Sequence, residues 1–331
     1  MKRHFYSAAA GAAIALLLTS CGTGPAETGS FDRTLSVTGP IRLELSDPSG
    51  AVRITGGASD QLKIHAEVHA RGWLFQDARK SLDEVNSHPP IEQRAGVVRI
   101  GKDFTGFHNV SIDYVIEAPE ATEIDAAFAS GSVNIRNLHG PVKVDSASGS
   151  IHVEQVTRSV QINSASGSIT VADLGDDLRV SSASGSITAN NVKGDIRVHS
   201  LSGSTDINQP GGRVTADTAS GSIRVRGAGN DVKSNSASGS ITVQGNPAGN
   251  SYWSLKTASG SINLSVPANS AFHLTAEAVS GEIRTGIPII IEEQGKHSLR
   301  ARVGLPAQAG EGGGRVEIRT ASGEINVRSS S

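Results

Sequence analysis

The chain has 331 residues, with 30 basic and 32 acidic side chains, 38 glycines, 4% aromatic residues and one cysteine. So mild a charge gives no electrostatic case for a nucleic-acid partner. The lone cysteine excludes an internal disulfide, and the scarcity of aromatics requires a thin, aliphatic, repetitive core.

The N-terminus addresses the compartment. Lys2 and Arg3 precede an apolar stretch, Ala8 to Leu18, of signal-peptide length and too short to span a bilayer as an anchor. It ends in Leu18-Thr19-Ser20-Cys21, which resembles the lipobox of bacterial lipoproteins. That resemblance implies cleavage after residue 20 and acylation of Cys21, with two or three acyl chains sufficient for stable membrane attachment. Gly22 in place of Asp implies the outer membrane if the cell is Gram-negative, facing periplasm or medium. Residues 21–30, small and polar, read as a lipidated flexible tether.

Residues 31–120 lack a strict period and read as a β-rich cap. Ile41–Leu45, Leu62–Val68, Val97–Ile100 and Val110–Ile116 alternate as half-buried strands. Leu74, Ala78, Leu82 and Val85 form one helical stripe, ended by His88-Pro89-Pro90.

From residue 121 a phrase close to Ser-Ala-Ser-Gly-Ser-Ile recurs. Its glycine falls every 18 residues from Gly131 to Gly239, then at Gly260, Gly281 and Gly323, with a weaker outlier at Pro48-Ser49-Gly50-Ala51-Val52. The apolar series Val160, Ile162, Ala165, Ile169, Val171, Leu174 repeats gaps of 2, 3 and 4. Each coil is therefore two nine-residue halves, and each half is a short strand followed by a bend that turns one more small or aliphatic side chain inward. Two residues before the halves stand Gly149, Arg158, Gly167, Asp176, Gly185, Gly194, Gly203, Gly212, Gly221, Asn230 and Gly239, so a positive-φ reversal is expected at every ninth residue, with Arg158 the misfit. Strands this short are stable only when coils stack, about 4.8 Å apart. The expected fold is all-β: a β-solenoid, either a flattened β-roll or a compact β-helix, over residues 121–331. Residues 286–316 are read as a hairpin-like insertion before the last coil.

The Tyr114-Val115-Ile116-Glu117-Ala118-Pro119 lead-in and the Ser-Gly-Ser/Glu-Ile repeats resemble the bacterial adhesin-labelled β-strand repeat family, a domain of unknown function numbered 4097. The resemblance spans most of residues 40–330. It implies an envelope location and little chemistry, because the adhesin label is a name and not an established activity.

No catalytic, cofactor or metal site is expected. His65 and His69 lie on an alternating strand, which would hold them about 13 Å apart. Asp145, Asp206 and Asp217 do not all share one repeat position, against a calcium roll. The repeated serines have no recurring histidine to activate them. Two outward stripes remain. One runs Lys143, Gln161, Arg179, Arg197, Thr215, Lys233, Ser254, and its cations Lys143, Arg179, Arg197 and Lys233 would line up only if coils stack, as a shallow groove for an anionic polymer or as a solvated face. The other, His152, Thr170, Thr188, Asp206, Arg224, Thr242, Asn263, is too mixed for ice binding. The function expected first is a non-enzymatic envelope scaffold or adhesin-like protein. An envelope-stress sensory lipoprotein and a carbohydrate-active β-helix enzyme stand behind it. Expected partners are the membrane through the lipid, envelope glycans or proteins, and further copies through the solenoid ends.

Overall fold

The structure, a computed structural model, describes residues 26–71, 78–101, 110–304 and 313–330. It is a parallel β-solenoid of two facing sheets, one of 15 strands (the front sheet) and one of 14 (the back sheet). A typical coil is the front strand Val160–Ser166, a corner at Gly167, and the back strand Ile169–Leu174. Coil pairs with coil in exact 18-residue register, so Ile151, Ile169 and Ile187 stack, as do Val160, Leu178 and Ile196. Main-chain bonds such as Ile169 N–H to Ser186 O (2.9 Å) run between coils. Inside, Val160 and Ile162 face Ile169, Val171 and Leu174, all buried. Each such side chain contributes about 1.5–3 kcal/mol on burial.

The first corner takes positive φ as the sequence predicts, at Gly131, Gly149, Gly167, Gly185 and onward. A second constraint is stricter than φ. A Cβ on Gly185 would lie 2.0 Å from the carbonyl oxygen of Gly167, and the same clash recurs at each rung from Gly131 on. The other corner differs from expectation. Positive φ falls on Asn137, Gln155, Asp173, Asn191 and Gln209, not on Arg158, Asp176, Gly194, Gly212 and Asn230. Gly194 and Gly212 are small because neighbouring backbone is within 2.5 Å of any Cβ there. Arg158 is no misfit, since its position needs no left-handed backbone.

A further correction concerns the bend. Ala165 and Ala183 were expected inside but face out, while Ser164 and Ser182 are buried. Ser146, Ser164, Ser182 and Ser200 each donate to the carbonyl two residues ahead at 3.1–3.2 Å. A methyl group would leave that corner carbonyl without its partner, so the hydroxyl takes the inner place.

Both ends depart from sequence order. Strands β1 (Ala26–Ser36), β2 (Arg42–Ser49), β3 (Val52–Gly57), β4 (Gln61–Arg71), β5 (Ile91–Arg94), β6 (Val97–Ile100), β7 (Val110–Pro119), β8 (Glu123–Ser130) and β9 (Ser132–Leu138) build the N-terminal part, with one helix, α1 (Ala78–Ser87). β2 and β3 are themselves a coil, stacked directly on β8 and β9, with Leu43 on Ile124 and Ile54 on Ile135. The expected boundary at residue 120 therefore does not separate cap from solenoid in space; β6 and β7, between β3 and β8 in sequence, extend the stack beyond β2 and β3. Gly50, the weak outlier of the repeat, is the first rung, its carbonyl 1.9 Å from a Cβ on Gly131.

This end is covered with β7 and β4 on the back sheet, β4 and β1 antiparallel, and with β6 and β5 on the front. α1 buries Ala78, Leu82 and Val85 as its stripe predicts; Leu74 lies outside the described residues. Residues 26–30, read as part of the tether, instead begin β1. Gly29 lies under the helix, where a Cβ would come 2.8 Å from Leu82 Cδ1.

At the other end the C-terminal coil, Gly314–Ser322 with Ile325–Ser329, is inserted between the coil of Tyr252–Ser259 and that of Phe272–Ser280. The glycine ladder records this order: Gly323 abuts Gly260, and Gly281 abuts Gly323. Ile289–Gln294 and Ser298–Val303 form an antiparallel hairpin laid on Phe272–Ser280. The hairpin thus covers the front edge of the stack rather than standing before a terminal coil. Its outer strand carries a bulge, and Glu292 and Glu293 follow the exposed pair Ile290 and Ile291, features that discourage edge pairing.

The ladder sets a test. Gly185→Ala is expected to lose at least about 2 kcal/mol by backbone clash and strain, and Ser186→Ala, exposed, less than about 0.5 kcal/mol. Chemical denaturation of the two variants measures the difference, and equal losses would contradict the rung.

Candidate functional site

Cys21 and residues 1–25 lie outside the described residues. The basic line can be placed. Register carries Lys143 to Gln161, Arg179, Arg197, Thr215, Lys233 and Ser254, so the four cations do share one row on the front sheet. The row is not a run of positive charge. Lys143 Nζ lies 2.9 Å from Asp145 and 3.6 Å from Asp125. Arg197 lies 3.3 Å from Asp195 and 3.8 Å from Asp177, which also sits 3.9 Å from Arg179. Among the described residues only Lys233 of the four makes no ion pair.

The hydrogen bond and charge of Asp145 push Lys143 above its ordinary range. Asp145 is held low: partial burial opposes this, but hydrogen bonds from Asn163 and Lys143 outweigh it. The row meets acid at both ends, Asp125 before Lys143 and Glu317 beyond Ser254. A polyanion would have to displace these carboxylates. The second stripe also stacks in register, with Arg224 bonded to Asp206 at 2.8 Å.

A different surface emerges at the front-sheet corner. Because serine takes the inner place there, the neighbouring apolar residues form an outward strip. Ala147, Ala165, Ala183 and Leu201 line a shallow groove with Phe128, of about 1060 Å³, ending near Asp47. Leu201 is 63% exposed. Sequence reasoning missed this strip because it assigned the alanines to the core.

The cap presents the other polar constellation. His65, Glu67 and His69 project from one side of β4, with Asp32 of β1 opposite His65 and Asp113 of β7 opposite Glu67. His65 Nδ1 lies 2.8 Å from Asp32, and His69 Nε2 lies 3.5 Å from Asp113. Ligand atoms of Glu67, His69 and Asp113 all fall within 4.8 Å of one another. His65 and His69 do not converge on one point, as the alternation predicts. The carboxylates beside them were not foreseen, because Asp113 reaches Glu67 only through the pairing of β4 with β7.

Stacked parallel coils, a glycine rung at one corner and structurally engaged hydroxyls define a repeat protein of the β-solenoid class. The Toastrack family, DUF4097, matches residues 109–328, and the chain belongs to it. No curated protein matches. Among solved structures, a "putative cell adhesion protein" from Clostridium sporogenes is 10% identical, with 92% of this chain and 100% of that one covered, at a TM-score of 0.24, too low for a shared arrangement to be argued from it.

Asp47 occupies the inner corner position of the first coil, in line with Phe128 and Ser146. Its Oδ1 accepts the Ser49 N–H at 3.0 Å, while Oδ2 is buried with no hydrogen-bond partner among the described residues. Burial raises its pKa to about 7, against the Ser49 bond and with help from the Asp113 charge. The folded state therefore holds a proton that the unfolded state has lost, and stability falls as pH rises from about 4 to about 7. Asp47→Asn is expected to raise stability at pH 8 by up to about 4 kcal/mol and by much less at pH 4.5. Urea denaturation at the two pH values measures it; a gain independent of pH would contradict the assignment.

Proposed function

We infer that the chain is a lipid-anchored, non-enzymatic protein of the cell envelope whose solenoid is a rigid interaction scaffold of adhesin-like kind. The observation that carries this reading is the use of the repeat's own polar groups. Most corner hydroxyls bond backbone, three of the four row cations face carboxylates, and the coils offer alanine, or an aliphatic residue such as Leu201, outward at the corner. Such a surface suits contact with another macromolecule better than it suits chemistry on a small substrate. Eleven glycine rungs, from Gly50 through Gly281, give a rod roughly 50 Å long, able to hold that surface away from a membrane. Family membership is consistent with this role. The anchor rests on the Leu18-Thr19-Ser20-Cys21 sequence.

Expressed in a Gram-negative host, the full chain should incorporate labelled fatty acid and sediment with membranes. Cys21→Ala is expected to abolish labelling and release the protein to the soluble fraction. A variant that still sediments with membranes and carries label would overturn the anchored reading.

A further inference from the structure

We propose that Glu67, His69 and Asp113 form a divalent transition-metal site on the outer face of the cap. The argument starts from sheet geometry. Glu67 and Asp113 are direct cross-strand partners of the antiparallel pair β4–β7. Two carboxylates placed so repel one another, and a cation between them removes the repulsion. Their ligand atoms and that of His69 already lie within 4.8 Å of one another. Zinc at about 2.0–2.2 Å from each ligand needs donors roughly 3.3–3.6 Å apart. His69 Nε2 and Asp113 Oδ2, at 3.5 Å, meet that spacing, and the exposed Glu67 has the rotamer freedom to close the set.

Contacts around the cluster orient its carboxylates. Asp113 keeps Oδ1 on the Ala51 N–H at 2.7 Å, leaving Oδ2 for His69. His65 places Nδ1 against Asp32 at 2.8 Å, so its Nε2 is the nitrogen turned to Glu67, at 3.9 Å. Mixed imidazole and carboxylate donors suit Zn²⁺ or a neighbouring transition ion. Ca²⁺ takes six to eight oxygens, and Mg²⁺ a near-octahedral oxygen shell, more than this cluster supplies. The bound ion would tie β4 to β7 and keep a coordination position open to solvent, where a ligand from a partner could enter.

The test titrates Zn²⁺ into the untagged full-length chain by calorimetry and follows the melting temperature with and without EDTA. One equivalent is expected to bind at micromolar Zn²⁺ and to raise the melting temperature by about 5 °C near saturation, while Ca²⁺ does neither. His69→Gln should weaken binding at least tenfold, and His88→Gln, on a distant exposed histidine, should not. Glu67→Gln should abolish the zinc shift yet raise the melting temperature in EDTA by about 1–2 °C, because the facing carboxylates no longer repel. Absence of binding in the wild type, or binding unchanged in both His69→Gln and Glu67→Gln, would overturn the site.

Discussion

Backbone hydrogen bonds between coils draw successive turns of the chain to about 4.8 Å, and at the Gly131–Gly323 corner that distance leaves no volume for a side chain. Everything regular in the molecule follows from this contact. The corner residue must lack a Cβ. In most coils the residue three before the corner is a serine or threonine, and in several its hydroxyl bonds a corner carbonyl, as Ser164 bonds that of Ser166; Phe128 and Ala278 hold the same place in two coils without doing so. The core between the sheets is then mostly aliphatic side chains repeated in register. Trp253, the large aromatic buried within the middle coils, gives its Nε1–H to Asn230 O at 2.7 Å. The neighbouring coil is the first of 21 residues, and the ladder continues through it unchanged.

The same contact does not care about sequence order. Any segment with a glycine at the corner and aliphatic residues at the right offsets can be a rung, which is why Gly50 abuts Gly131 and Gly323 lies between Gly260 and Gly281. Long excursions between rungs then become end covers. β4 to β7 cover the first coil and the hairpin from Ile289 covers the front edge of the last, so the open edges that a stack of strands would offer are displaced to short, charged or bulged strands. The N-terminal cover is also where the polar chemistry collects, since β1, β4 and β7 are antiparallel neighbours whose outward faces are free of the repeat's restrictions.

The period of 18, the paired halves and the aliphatic rows were legible in the sequence because stacking repeats them ten times over. What was not legible arises where the sequence pattern is ambiguous or nonlocal. Alanine and serine are both small, and only the geometry of the carbonyl ahead decides that Ser164 turns in and Ala165 out. Gly194 looks like a turn glycine but is required by close approach, whereas Asn191 carries the positive φ. The order of the last coils depends on pairings across some 60 residues, such as Thr257 with Thr320, that no local pattern records. The row of Lys143, Arg179 and Arg197 was found by period alone; Asp177 and Asp195, which neutralise its arginines, recur at the same 18-residue spacing two residues before them, a second row that was not set beside the first.

The central claim, that coils are ordered by fit at the stacking contact and not by position in the chain, is tested most directly by disulfide trapping at the C-terminal end. Lys256 and Arg319 are register partners on adjacent strands, whereas Lys256 and Glu277 are separated by the intervening strand. Neighbouring strands bring Cα atoms within the range a disulfide accepts, and strands two apart, at nearly 10 Å, do not. With Cys21 replaced by Ala, the pair Lys256→Cys and Arg319→Cys should oxidise to an intramolecular disulfide detectable by mass spectrometry. The pair Lys256→Cys and Glu277→Cys should remain as thiols. Efficient cross-linking of the second pair with none in the first would show coils stacked in chain order and would contradict the account.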